Sequence, residues 1–378
     1  MKKFLFISWI IAIILFSIFY LIASFSAFIS PDLFSYTSIF ALAFPYLFII
    51  GALLCIAGFF IHKKSAYILL AILFCGSYNL VHTVSFHAPK AFTAAKDSTT
   101  LRIMTWNVQS FDSYLLKHKN KDGYKTNRSE MLQLILDYNP DVICFQEYLD
   151  YENTKKRRSI HNDLFAAGYP YAYASNEKFI ESKRKFAAYG GTAIYSKYPL
   201  IDSGKLKLID SDVGKQEYMI YASLIFNHQP VRVFTAHLAS YYIYSDTTDQ
   251  TENGGSIYQI TYDRKLSVQS KIRETGLTHL REAKMIRQQI DASPYPVIYC
   301  GDMNSTACTY QYRYLKNDLQ DAFLQKGSGI GVTFYKLLYT LRIDFCLVNK
   351  NMQVLQSVVG KEKLSDHYPV ISDVKWSK

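Results

Sequence analysis

The 378-residue chain contains no CxxC pair and no regular cysteine spacing. Its six cysteines therefore supply neither a zinc framework nor a dense set of obligatory disulfides. Cys55 and Cys75 fall within long apolar runs. Cys144, Cys300 and Cys346 fall within shorter ones and are expected as buried thiols, while Cys308 follows a polar cluster. There is no internal repeat and no low-complexity tract, which excludes a repeat architecture. Acidic residues are also scarce, 31 against 42 Lys and Arg, for a net charge of +11. That balance favours a polyanionic partner or an anionic membrane surface, although a generally basic soluble surface explains it as well.

Cations are missing where topology needs them to be. Residues 27–38 carry no Lys or Arg, whereas Lys2 and Lys3 precede an apolar run over 4–26, and Lys63 and Lys64 follow a second over 39–61. A third run, about 66–86, is interrupted by Asn79 and His82. Each approaches the ~20 residues that cross a hydrocarbon core, and Pro45 is tolerable in a membrane helix. The positive-inside rule places the N-terminus and Lys63/Lys64 in the cytoplasm. Three spans then leave everything beyond residue ~86 on the periplasmic or extracellular face. A signal peptide ending near Ala23–Ala27 is the alternative for the first run; its apolar stretch is long for that role, and cleavage leaves the same exported domain. A third run that failed to cross would instead leave the domain in the cytoplasm. The expected organisation is a membrane region over 1–86 with about three helices in a multi-pass inner-membrane protein, a linker over 87–100, and a soluble domain over 101–378.

The soluble part alternates apolar β-prone runs with helical patterns. Strands are predicted at Leu101–Val108, Asp141–Gln146, Tyr169–Ala174, Tyr218–Asn227 paired in a hairpin with Val231–Ala236, Pro296–Cys300, Ile343–Asn349, Val354–Gly360 and Val370–Trp376. Gly190-Gly191 reads as a turn leading into a further strand through Ser196. Helices are predicted at Arg128–Tyr138, where Met131, Leu132, Ile135 and Leu136 share one face, at Arg264–Ile290 despite Gly276, and at Tyr310–Leu315. Loops are expected over 109–126, Tyr151–Arg158 and 240–262, the last mobile and tyrosine-rich. The absence of regular βαβ spacing argues for an α/β layered sandwich with mixed sheets rather than a Rossmann fold or barrel.

Six polar clusters sit at or near the ends of apolar runs: Thr105-Trp106-Asn107-Val108, Phe145-Gln146-Glu147, Thr235-Ala236-His237-Leu238, Gly301-Asp302-Met303-Asn304, Arg342-Ile343-Asp344-Phe345 and Ser365-Asp366-His367-Tyr368-Pro369. Alone, each has a plain reading. Glu147 can be a solvated strand end, Gly-Asp-x-Asn is good turn chemistry, and a single histidine is commonly an ordinary polar core residue. Together they deliver Asn, Glu, His, Asp and Asn to one mouth. A carboxylate with a neutral amide oxygen suits a hard cation, so Glu147 and Asn107 are candidate ligands. Asp302 and Asn304, two apart in an extended chain, point to the same side, one to act on a water and the other on a phosphoryl oxygen. Asp344 is a candidate orienter of His367, and a protonated His237 can hold a phosphate oxygen. This inventory fits metal-assisted hydrolysis of a phosphoester.

In order and context these elements resemble the endonuclease/exonuclease/phosphatase superfamily, over about residues 101–376. Gly190-Gly191-Thr192-Ala193-Ile194-Tyr195-Ser196 resembles a further element of that family. The resemblance implies a four-layered α/β sandwich with two mixed sheets. It implies Mg²⁺, with Mn²⁺ as a substitute, held by Glu147 with Asn107 and Asp366. It implies that Asp302 and His367 act on the attacking water, with Asp344 supporting His367, and that His237 and Asn304 bind the scissile phosphate. Val108-Gln109 departs from the acidic residue usual after this asparagine in abasic-site enzymes, and His237 is closer to the deoxyribonuclease and sphingomyelinase branches. The expected partners are the lipid bilayer, through the N-terminal helices, and a phosphoester substrate: nucleic acid, a phospholipid head group or a soluble ester. The catalytic domain is expected to be monomeric. A catalytically inactive binding module is the competing class.

Overall fold

The computed structural model describes residues 2–112, 127–151, 159–175, 177–181, 186–208, 217–241, 268–337 and 339–377. Most of the three expected loops lies outside the described residues.

The first helix, α1 (Lys2–Phe25), and the second, α2 (Thr37–Ile61), have 24 and 25 residues. At 1.5 Å per residue each rises about 36 Å, enough to span a bilayer core. Both are apolar enough to cross a membrane, and their exposed positions include Phe4, Leu15, Leu53 and Phe60. The third apolar run is not one straight helix. It forms α3 (Lys63–Phe74) and α4 (Ser77–Thr83), bent by 58°. The physical reason lies at the break. The Tyr20 hydroxyl donates to the Leu73 carbonyl at 2.9 Å, and Gly76 leaves room for the Tyr20 ring where a Cβ would collide with it. Asn79, which interrupts the apolar pattern, is fully buried and donates to the Ala23 and Ser24 carbonyls at 2.8 and 3.2 Å, capping the end of α1.

The described residues from Leu101 onward form a sandwich of two mixed sheets, as expected. One sheet runs β12 (Met352–Val359), β13 (Val370–Trp376), β1 (Leu101–Asn107), β2 (Val142–Tyr151), β5 (Phe186–Ser196) and β3 (Tyr171–Ala174), with β4 (Glu177–Glu181) also paired to β5. The other runs β10 (Gln320–Asp321), β11 (Asp344–Val348), β9 (Val297–Asp302), β8 (Gln229–His237), β7 (Tyr218–Phe226) and β6 (Leu200–Lys207). Strands β1, β9 and β11 are buried along their whole length, which is why they read as continuous apolar runs rather than alternating ones. Ile103, Cys144, Ile194, Val233, Ile298 and Cys346 fill the space between the sheets. There the Cys300 thiol lies against both Cys144 and Cys346. Outside the first sheet, α5 (Arg128–Tyr138) and α6 (Ile160–Ala166) pack Met131, Ile135 and Leu164 on Trp106 and Phe145. Outside the second, α7 (Val268–Asp291) and α8 (Tyr310–Lys316) pack Ile286 and Leu315 on Phe234 and Tyr299. A short α9 (Ala322–Lys326) follows β10.

Two local expectations fail for one reason. Glu147 does not end its strand; β2 continues to Tyr151 through a register shift between Phe145 and Tyr148. Gly190-Gly191 is not a turn but the part of β5 that lies opposite, Gly191 against Tyr148 and Gly190 against Leu149. A bulge carries one strand past the site, and glycines opposite it admit the distorted backbone.

Candidate active site

The pairing pattern brings the polar clusters together. β1 and β2 are parallel, as are β8 and β9, so Asn107, His237 and Asp302 end their strands, and Glu147 sits at the bulge of β2, at one end of the sandwich. β11 and β13 run antiparallel to β9 and β1, so Asp344, at the start of β11, and His367, just before β13, come to that same end. Asp302 and Asp344 are direct partners across the β9–β11 pair.

Asp302 is the hub. Its Oδ2 accepts from Asn107 Nδ2 at 3.1 Å and lies 3.7 Å from His237 Nε2 and 3.6 Å from His367 Nε2. Its Oδ1 accepts from the Asn304 backbone N–H at 2.8 Å. Asn107 Nδ2 also reaches Glu147 Oε1 at 3.3 Å, and that oxygen lies 3.8 Å from His237 Nε2. Asn304 Nδ2 lies 3.1 Å from His237 Nε2 and donates to the Leu238 carbonyl at 2.8 Å. His367 is held at both ends. Its Nδ1 pairs with Asp344 Oδ2 at 2.8 Å, and its carbonyl accepts from Trp106 Nε1 at 2.9 Å. Ser365 Oγ donates to the Asn107 carbonyl at 2.8 Å, tying the Ser-Asp-His segment to the end of β1. Glu147 and Asn304 both hold positive φ, 49° and 46°, in a region that residues other than glycine rarely occupy.

Electrostatics follow from this crowding of buried acids and imidazoles. Burial alone would depress His237, but Glu217, Asp302 and Glu147 overcome it and raise the imidazole to about 9. His367 is likewise pulled down by burial and raised well above the usual range by Asp344 and Asp302. Burial, then repulsion from Asp344, raises Asp302, with the two imidazoles opposing. Burial also raises Asp366, and the Glu147 carboxylate adds to the shift.

The donor set fits a hard divalent cation. Among the described residues every candidate ligand is an oxygen or an imidazole, and Glu147 and Asp366 repel one another as two acids facing a shared space do. Asp302, Asp344 and His367 form a further acidic group whose ligand atoms lie within 4.8 Å of one another. His367 Nδ1, however, is already engaged by Asp344, so that trio reads first as a histidine–carboxylate pair with a second carboxylate beside it.

Residues 104–367 match the profile of the Endonuclease/Exonuclease/phosphatase family. The chain belongs to that family. It is a hydrolase of phosphoester bonds. Residues 2–83 match a separate profile, a Domain of unknown function (DUF8431). Comparison with curated protein sequences returns no match. Among solved structures, an endonuclease/exonuclease/phosphatase from Beutenbergia cavernae superposes with a TM-score of 0.54 at 16% identity, covering 74% of this chain and 72% of that one. A family protein from Bacteroides thetaiotaomicron superposes with a TM-score of 0.52 at 14% identity, covering 74% and 99%. These likenesses are of fold.

Two residues around this candidate site escaped the sequence reading. Glu217, buried just before β7, places Oε1 3.6 Å from His237 Nδ1, the ring position at which Asp344 meets His367 more closely, at 2.8 Å. It stands in a charged stretch with no motif around it, and only the β7–β8 pairing carries it to His237. Thr333 is another: its Oγ1 accepts from the Ile343 and Asp344 N–H groups at 3.0 and 3.1 Å and fixes the start of β11.

Proposed function

We propose that the chain is a membrane-anchored, Mg²⁺-dependent phosphoesterase whose catalytic domain, residues 101–378, hangs by the linker 87–100 from the membrane region 1–86 on the periplasmic or extracellular face. The observation that carries this reading is the convergence of Asn107, Glu147, His237, Asp302, Asn304, Asp344 and His367 at one end of the sandwich. Glu147, Asn107 and Asp366 hold Mg²⁺, with Mn²⁺ as substitute; the bound cation supplies Lewis-acid stabilisation of phosphoryl oxygens. Asp302 takes the proton of the attacking water, and its raised affinity for protons suits that task near neutral pH. His367, oriented by Asp344, aligns that water and balances the charge on Asp302. His237 stays cationic at neutral pH and, with the Asn304 amide, holds the scissile phosphate.

Either a nucleic acid or a soluble ester fits this chemistry. A second reading, a phosphoester displayed at the bilayer surface such as a phospholipid head group, is supported by one observation. The end of the sandwich that bears the site is the end against which the membrane helices pack, as Ser26 to Cys308 and Thr83 to Cys308 contacts illustrate.

The deciding experiment assays the detergent-purified full chain against DNA, RNA, sphingomyelin, phosphoinositides and bis(p-nitrophenyl) phosphate, with Mg²⁺ and after EDTA. Turnover should require the cation, and Glu147→Gln should raise the Mg²⁺ concentration needed for half-maximal rate while leaving the thermal midpoint close to wild type. Undiminished hydrolysis after complete metal removal would sink the metal-dependent reading.

A further inference from the structure

The ends of the membrane helices are built into the loops that carry the site. Four contacts establish this, one from the end of α1, one from the start of α2 and two from α4. Ser26 Oγ, just past α1, donates to the Cys308 carbonyl at 2.8 Å, and Thr83 Oγ1, at the end of α4, pairs with the Cys308 thiol at 3.1 Å. Cys308 closes the loop that begins at Asp302 and Asn304. Ser38, in the first turn of α2, meets the hydroxyl of Tyr241, which also bonds Ser305. Tyr241 ends the segment after His237, whose Leu238 carbonyl holds the Asn304 amide. Arg342, two residues before Asp344, donates to Asp321 Oδ2 at 2.7 Å and to the His82 carbonyl of α4 at 2.8 Å.

These contacts are buried. Ser26, Ser38, Cys308 and Arg342 are each no more than 3% exposed. They are also closely fitted. A Cβ on Gly276 of α7 would stand 3.0 Å from Ser38 Oγ, and the Gly276 carbonyl accepts from Gln311 Nε2 at 3.1 Å. This explains a glycine in the middle of a long amphipathic helix: α2 passes where a side chain would be. A buried His279 continues the network, its Nδ1 pairing with Ser305 Oγ at 2.8 Å and its Nε2 with the Ala239 carbonyl. Ser26, Thr83, Ser38 and Arg342 each find a partner across this seam, so losing one side leaves a buried polar group unpaired on the other.

We infer that the membrane helices are positioning elements of the active site: their outer ends hold the 302–309 loop, the 238–241 segment and the start of β11 in register. The inference rests on the roles proposed above for Asn304 and Asp344, and it adds Ser26, Ser38, Thr83 and Tyr241 as positioning residues remote from the reacting atoms. The anchor is therefore a part of the catalytic unit as well as a tether.

The test uses the full chain in detergent, with bis(p-nitrophenyl) phosphate and Mg²⁺. Ser26→Ala combined with Ser38→Ala should lower kcat at least tenfold with KM within about twofold, since the substrate-binding groups remain while their alignment loosens. Adding Tyr241→Phe to Ser38→Ala should cost little more, because both remove one bridge. A redox-reversible variant separates positioning from misfolding. In Ser26→Ala/Thr83→Cys, oxidation should bond residue 83 to Cys308 and restore kcat, and reduction of the same sample should lower it again. Hydrogen exchange reads the inference without turnover: amides of 303–309 should exchange at least tenfold faster in Ser26→Ala/Ser38→Ala, with those of β1 unchanged. Wild-type kcat and wild-type exchange in these variants would overturn the inference. A wild-type chain without metal-dependent turnover, but with the exchange difference present, would overturn the functional reading and leave the positioning intact.

Discussion

Glu147 and Asn304 are held in a backbone region that costs each of them energy, and both point into the site. That strain is sustained by the surrounding bonds, Asn107 to Glu147 and the Asn304 N–H to Asp302. Asp302 and His367, 3.6 Å apart, are expected to act as a unit. Asp302→Ala and His367→Ala should each lower kcat by about 10²–10⁴, and the double variant should be little worse than the weaker single. Fully multiplicative losses would mean independent roles. His237 gives a pH signature. Its folded value of about 9 lies above the ordinary 6.5, so the stability it contributes is complete below about pH 6.5 and is lost as pH rises through about 9. Thermal midpoints of the full chain between pH 6 and 10 should fall over that window, and His237→Gln should remove this part of the fall. At this scale most of the candidate site was legible, because Asn107, Glu147, His237, Asp302, Asn304, Asp344, Asp366 and His367 each sit in a short polar cluster against an apolar run. Glu217 was not, since its role arises from a neighbour twenty residues away that only sheet pairing supplies.

Among elements, the β2–β5 pair governs how Glu147 is presented. Gly191 holds φ of 110° directly opposite Tyr148, beside the bulge. Gly191→Ala should destabilise the chain by roughly 1 kcal/mol or more, because an alanine is strained at that angle. Denaturant unfolding of the detergent-solubilised protein measures it, and an unchanged midpoint would show that the bulge relaxes. Helix α5 and strand β13 form over the residue ranges the sequence predicts, since a helical face ending at Asn139-Pro140 and an apolar run are local signals. Strand β6 was not legible. Leu200–Lys207 is mostly exposed or half-buried and carries Asp202, Ser203 and Gly204, so its strand character comes from pairing with β7. The break between α3 and α4 was hidden for a related reason: Tyr20 and Gly76 are far apart in sequence, and each is unexceptional alone.

For the whole molecule, the helix ends that meet the catalytic domain are those of Ser26, Ser38 and Thr83, opposite the ends that carry Lys2, Lys3, Lys63 and Lys64. With the positive-inside rule this predicts an exported domain. Alkaline phosphatase fused after Lys96 should be active, and a fluorescent protein exported there by the Sec route should stay dark. The reverse pattern would place the domain in the cytoplasm and leave the chemistry of the site as it stands.

The three thiols at the centre of the sandwich acquire a further meaning if the domain is exported as proposed. Cys144 comes from one sheet, Cys300 and Cys346 from the other, and they touch with no disulfide among them. An exported chain meets a compartment that oxidises thiols, so only the closed sandwich keeps these sulfurs apart from oxidant. The order of events during maturation then matters: the sheets must close before oxidation reaches them. Unfolding in an oxidising medium becomes a one-way step, whereas a reducing medium leaves the way back open.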